Sequence, residues 1–537
     1  MIDFFFRTED IRPEAVVDYF VETAQDRATV DALKNRNPTI LIGSRGVGKS
    51  FLLRVAQREL AVSFEQDRVF PVYLSFVRSS LLQSADPDQF KHWMLARICS
   101  AIIRSLMKEG LLSSVSQSAR LLAGSDTVSD AQPTRLEVIA GSFEDSWQNP
   151  NSAIENLEIV PSVDALKEAL EDISSELSIS RFVLLIDEAA HIFLPEQQRL
   201  FFTLFRDLRS HCITCNAAVY PGVTSYGETF QPAHDATMIS IDRDVLAPTY
   251  VDNMREIVEK QADSTVLKNI ARNGKNFAVL AYAAAGNPRL LLKTLASSPA
   301  VDSTQINLTI REYYRSDIWS EHSLLADKYS GHRTVIDWGR QFIESIVLPE
   351  IKTKNDQYLA ADKATSAYVW IHRDAPALVK EALRILSYTG VVIEQASGIK
   401  ASRAEVGTRY MINLGCLFSL EARPASTSFD IAKGLTPKRM TEFGANHSAF
   451  KSLADQTINA PDESKGAALK EQLTKSIDVL DISKWQYGKL VELGLLTVGD
   501  VLKASEKKLM EASYVGNVRA RQMRNAAVAA VLEYLSG

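Results

Sequence analysis

The pattern of apolar and polar positions changes rhythm several times along the 537 residues. Short, almost wholly apolar runs stand at 38–42, 69–76, 182–186, 213–220 and 236–241, with segments of helical spacing between them. Runs that are apolar throughout, rather than alternating, fit parallel strands buried on both faces. These runs predict an α/β core with a parallel sheet over residues 1–243. An amphipathic segment at 10–36 precedes it, and a helix is expected at 90–106. From 113 to 161 the chain turns polar and loses its period, and the reading there is an exposed insertion or small subdomain.

Downstream, 244–309 has helical periods throughout. Residues 310–422 give helices, then an apolar helix at 376–387 stopped by Gly390. A strand starts at Val391, a polar turn covers 395–403, and a second strand runs through 409–413. Residues 423–468, with Pro424, Pro437 and Pro461 among Ser, Thr and Ala, read as a linker with one short helix. Residues 469–537 form a last all-α domain.

Chemistry enters at the end of the first strand. Gly43, Ser44, Arg45, Gly46, Val47, Gly48, Lys49 and Ser50 fit the phosphate-binding pattern G-x-x-x-x-G-K-[ST] in its required strand–loop–helix context, with Phe51 following. Such glycines let backbone N–H groups converge on a phosphate at a helix N-terminus. Lys49 is assigned to the β- and γ-phosphates of ATP, and Ser50 to Mg²⁺. The run 182–186 ends in Asp187 and Glu188. Asp187 is the candidate second Mg²⁺ residue and Glu188 the candidate general base for the attacking water.

These residues resemble the AAA+ and signal-transduction branch of P-loop ATPases, and two later motifs point to the ORC/Cdc6-like and STAND families. Gly286-Asn287-Pro288-Arg289-Leu290-Leu291 looks like their sensor 2 motif, which makes Arg289 a candidate γ-phosphate contact from the helical lid that the resemblance implies at 244–309. Thr224 and Ser225, after the run at 213–220, are the two sensor 1 candidates. The resemblance also places Phe20 and Val21 near an adenine base, with packing against the sheet as the alternative. One departure stands out: 228–238, where a finger arginine is expected, contains none. Arg206 and Arg209 are the substitutes available.

The 310–422 pattern has a winged-helix outline. In ORC/Cdc6-like proteins such a domain binds DNA, so Lys380 and Arg384 on the helix and Lys400 and Arg403 in the wing are candidate contacts. Residues 490–502 read helix, glycine turn, helix, and 505–521 repeat it. This resembles the tandem helix-hairpin-helix domains of repair proteins and of the carboxyl-terminal end of the RNA polymerase α chain. Gly516, Asn517, Arg519, Arg521 and Arg524 are the residues carried over as phosphate contacts.

Composition narrows the picture. The net charge of −6 argues against a protein that coats nucleic acid by charge alone, so contacts to DNA must be local. No apolar run reaches membrane-spanning length, and the four cysteines suit a reducing compartment, which together predict a cytoplasmic chain. Cys212 and Cys215 beside His211 form a lone C-x-x-C, short of the four ligands zinc needs. The expectation is an ATP- and Mg²⁺-dependent AAA+ ATPase that couples nucleotide state to assembly on double-stranded DNA, as a nucleotide-dependent homo-oligomer. The alternative is a STAND-like signalling or antiviral-defence switch whose C-terminal modules bind an effector protein.

Overall fold

The computed structural model describes residues 4–76, 87–112, 116–125, 132–144, 154–189, 195–222, 224–328, 332–402, 404–454, 473–480 and 482–535. They divide into two compact units, one made of 5–242 with 256–261, the other of the remaining described residues.

In the first unit, β1 (Thr39–Ile42), β2 (Val69–Ser75), β3 (Arg181–Asp187), β4 (Ile213–Val219) and β5 (Thr237–Ser240) form one parallel sheet in the order β2-β3-β4-β1-β5. All five expected strands are there. The period-two geometry of a strand explains why β3 is apolar throughout: Phe182, Leu184 and Ile186 feed the core on one face, Val183 and Leu185 that on the other. Asn216, fully buried in β4, ties the sheet to the preceding helix by accepting from the Thr39 N–H at 2.9 Å and donating to the Leu33 carbonyl at 2.8 Å.

Of the two readings of 113–161, the described residues exclude an exposed insertion. The stretch carries helices Gln117–Ala123 and Arg135–Glu144, whose Leu122, Leu136, Ile139 and Phe143 enter the same core as helix Pro87–Lys108. Glu144, itself buried, accepts from the Trp93 indole N–H at 3.3 Å. Polar residues cluster in the connections and hide two short amphipathic turns.

The second unit has helices from Ser264–Arg272 to Ser303–Glu312 and continues into a four-stranded sheet, β6 (Tyr368–His372), β7 (Val392–Lys400), β8 (Val406–Ile412) and β9 (Thr441–Phe443), ordered β7-β8-β6-β9. Helix Ala377–Thr389 precedes the β7–β8 hairpin, so the helix–wing outline is present. Two boundaries differ from expectation. Strand β7 runs on to Lys400 because Ala396, Ile399 and Lys400 pair with β8, with bulges that change the register, and the Trp370 indole N–H donates to the Ile399 carbonyl at 2.9 Å. The connection 423–468 is folded through 454: helix Pro424–Lys433 and β9 belong to this domain. Phe443 and Phe450 anchor the segment by packing on Phe342, at ring-centroid distances of 5.0 and 5.9 Å. Close packing also demands glycine at 415, where a Cβ would lie 2.3 Å from the Tyr314 ring.

The C-terminal part has helices Lys484–Glu492 and Val498–Lys503, then Glu506–Leu509 and Asn517–Leu535, two helix–turn–helix pairs around a small core of their own. The last helix packs against Ala377–Thr389. Among the described residues no helix is long and apolar enough to cross a membrane.

His322 makes this second unit sensitive to acid. Its ring is fully buried, with Nε2 facing the Ile336 carbonyl at 3.2 Å and Nδ1 facing the Thr389 hydroxyl at 3.1 Å, which assigns the proton to Nε2. Burial pushes the imidazole down from 6.5 to about 4. The unfolded chain therefore takes up a proton that the folded one refuses, and stability present above pH 6.5 is lost as pH falls toward 4. The loss is at most about 3 kcal/mol. The urea midpoint of this unit is expected to drop through that window, and to drop less in His322→Gln.

Candidate functional site

The glycine loop 43–48 leaves β1 and enters helix Lys49–Asp67, with Gly48 as its N-cap. Gly46 (φ 89°) and Gly48 (φ 109°) adopt left-handed backbone that a side chain would strain. At Gly43 a Cβ would lie 2.6 Å from Val47 and 2.9 Å from Ile241. The loop is thus shaped by three glycines, each for a steric reason. Lys49 is 7% exposed and donates to the loop's own carbonyls, Gly43 at 2.6 Å and Ser44 at 3.0 Å, so its ammonium sits where an anion in the loop would be met.

The acidic pair stands at the end of β3, and the neighbouring strands each send a tyrosine to it. From β2, the Tyr73 hydroxyl donates to Asp187 Oδ2 at 2.7 Å. Burial, then the adjacent Asp187 charge, raises the Tyr73 pKa, so this phenol stays protonated as donor. Just past β4, the Tyr220 hydroxyl donates to Glu188 Oε1 and Oε2 at 3.0 and 3.2 Å. The same Tyr220 ring lies under Lys49, whose Nζ is 3.9 Å from its centroid. Glu188 holds a left-handed φ of 55°, a conformation that costs a non-glycine residue on the order of 1–3 kcal/mol. Tyr73 and Tyr220 escape a reading of the sequence because a tyrosine within an apolar strand or just past one looks like core.

Ser50 at the helix start and Asp187 at the strand end are a hydroxyl and a carboxylate, the oxygen donors Mg²⁺ prefers. Asp187 also accepts from the Glu188 N–H at 3.0 Å, and a carboxylate with two such bonds keeps lone pairs for a metal's water shell. The donor set fits the ion.

Other predicted residues are placed differently. Thr224 turns its hydroxyl to the Tyr220 carbonyl at 2.6 Å, and the Ser225 N–H donates to the buried Gln198 side chain at 2.6 Å. Phe20 and Val21 are buried, Phe20 in the core with its ring 6.4 Å from Phe51, which is the packing alternative. Arg206 is occupied within its own chain by Asp207 at 2.7 Å and the Thr229 carbonyl at 2.7 Å, whereas Arg209 is exposed. Cys212 lies with Glu171 and His211, their donor atoms within 4.8 Å of one another, while Cys215 is buried in β4 outside that group, so the C-x-x-C does not act as a pair.

In the second unit, Arg289 is in the first turn of helix Pro288–Ser297, which Asn287 caps by accepting from the Leu290 N–H at 3.3 Å. Gly286 (φ 82°) lies against Arg243, a Cβ there being 3.0 Å from its carbonyl oxygen. Lys380 and Lys400 are exposed; Arg384 is paired with Glu381 at 2.6 Å. Burial acts to raise the Glu381 pKa, but His332 and Arg384 outweigh it and hold the carboxyl down at about 2. Arg403 lies outside the described residues. Gly516 has open space around it and Asn517 begins the last helix. Arg519 reaches back to the Tyr514 carbonyl at 2.7 Å and lies over Trp485 at 4.7 Å. Arg521 is 16% exposed and faces Glu506 at 3.5 Å; Arg524 is half-buried.

A parallel sheet with the order β2-β3-β4-β1-β5, a glycine loop after β1 and an acidic pair ending β3 define an AAA+ ATPase core. The model of the ORC-CDC6-like family matches residues 4–389, and the chain belongs to that family. Among solved structures it is similar to a Walker-type ATPase of Pyrococcus abyssi, at 14% identity and TM-score 0.36, over 80% of this chain and 97% of that one. It is similar also to the Aeropyrum pernix ORC1 protein in complex with DNA, at 13% identity and TM-score 0.33, over 78% and 96%. The Aeropyrum pernix ORC2 protein, in ADPNP-ADP complexes, matches at 13% identity and TM-score 0.34, over 76% and 92%. No curated protein matches the chain.

Proposed function

We propose that the chain binds ATP with Mg²⁺ at the glycine loop, hydrolyses it, and uses the nucleotide state to control its assembly on double-stranded DNA. The observation that carries this reading is Tyr220, whose ring meets Lys49 and whose hydroxyl meets Glu188, so the candidate phosphate-binding lysine and the candidate general base flank one side chain. Lys49 would exchange the Gly43 and Ser44 carbonyls for the β- and γ-phosphates. Ser50 and Asp187 would hold Mg²⁺, which neutralises phosphate charge, and Glu188 would take the proton of the attacking water. Arg289 would report the γ-phosphate to the lid.

DNA contact falls to the cations left exposed, Lys380 and Lys400 beside the wing, and to the turn at Gly516 and Asn517 with Arg519 and Arg524. Nucleotide-dependent self-association goes with this reading. The second reading, a switch that binds an effector protein, draws on the pairing of Arg384 and Arg521 within the chain and on the occupied Arg206. ATP turnover by the full chain, measured with and without double-stranded DNA, separates the two. Several-fold stimulation that weakens with salt, as displaced counterions require, supports the first. Turnover indifferent to DNA at low salt overturns it in favour of the effector.

A further inference from the structure

We infer that Tyr220 is a positioning residue for the proposed hydrolysis: it aims the Glu188 carboxylate and links that aim to the place of Lys49. This rests on the reading of Lys49 and Glu188 as phosphate ligand and base, and deepens it.

Three observations carry it. Both Glu188 oxygens lie within hydrogen-bond distance of the one Tyr220 hydroxyl, at 3.0 and 3.2 Å. Tyr220 is 3% exposed, and its backbone is held where its own carbonyl accepts from the Thr224 hydroxyl at 2.6 Å. The Lys49 ammonium rests 3.9 Å from the ring centroid while it donates to the loop carbonyls.

A base on strained backbone needs an external restraint to keep one orientation, and Glu188, at φ 55°, has it in the hydroxyl of the buried Tyr220. A phosphate in the glycine loop draws Lys49 off the ring. Tyr220 then keeps one Glu188 oxygen and leaves the other facing the site for a water, whose proton Glu188 accepts as the water oxygen bonds to the γ-phosphorus and the bond to ADP breaks. Occupancy of the loop and readiness of the base are joined through a single aromatic residue.

Tyr220→Phe keeps the ring and removes the hydroxyl, so its turnover number is expected to fall roughly 10- to 100-fold with the KM for ATP within about twofold, at unchanged thermal stability. Tyr220→Ala also loses the surface under Lys49, and its KM is expected to rise as well. Wild-type turnover in a folded Tyr220→Phe chain overturns the inference. A second readout does not depend on turnover. With 3-fluorotyrosine placed at 220, the ¹⁹F resonance is expected to move both in Glu188→Gln and on addition of ATP with Mg²⁺. If the wild-type chain binds ATP without hydrolysing it, the functional reading fails while the resonance still decides: a signal blind to Glu188→Gln overturns the Tyr220 assignment, and one that moves sustains it.

Discussion

Replacing Glu188 with Gln is expected to leave ATP binding intact and to cut turnover by about 10²- to 10⁴-fold, the range a positioned general base contributes. The substitution is nearly isosteric, and the amide oxygen still accepts from the Tyr220 hydroxyl that lies 3.0 Å from Oε1 in the native chain. What disappears is the basic lone pair that removes the proton from water. Lys49→Ala is expected to do the reverse, losing nucleotide affinity because the ammonium that donates from the start of that helix to the loop is gone. Titration with a fluorescent ATP analogue, followed by single-turnover kinetics, distinguishes the two. A Glu188→Gln chain that still turns over at the native rate would remove Glu188 from its role and point to another base.

Phe143→Ala is expected to destabilise the ATPase unit by about 3–5 kcal/mol, as do large aromatic deletions from closed cores. Phe143 is 1% exposed and lies in the cluster that holds Trp93 and Ile139. If residues around it were an exposed insertion, the change would stay within about 0.5 kcal/mol. Hydrogen exchange resolved over helices Pro87–Lys108 and Arg135–Glu144 is the measurement. Accelerated exchange in both helices of the Phe143→Ala chain supports the packing; native protection in both argues against it.

The contrast between Glu188 and Phe143 marks where sequence reasoning reaches. The chemistry of the site was legible because it is local: a glycine loop and a strand-end acidic pair are contiguous strings whose backbone requirements are written in residue type. Phe143 was hidden because the helical period of Leu136, Ile139, Ala140 and Phe143 spans only ten residues between longer polar connections, and only the helix it packs against reveals its place. The fold of 423–454 was obscured similarly. Prolines and serines suggest a linker, yet Phe443 and Phe450 find Phe342 from about a hundred positions earlier in the chain.

Cations posed a different difficulty. Arg384, Arg521 and Lys400 are equivalent in composition, but Glu381 and Glu506 engage the first two while Lys400 stays exposed. Charge partners come from other turns of the chain, so a list of lysines and arginines overstates the free ones.

By itself the sequence determined the five-stranded parallel core, the glycine loop with Lys49 and Ser50, and Asp187 with Glu188, because strand burial and phosphate cradling depend on residues adjacent along the chain. Only the tertiary structure decided that Tyr73 and Tyr220 hold those carboxylates, since the order β2-β3-β4 brings to either side of β3 two strand ends that are more than a hundred residues apart in the chain.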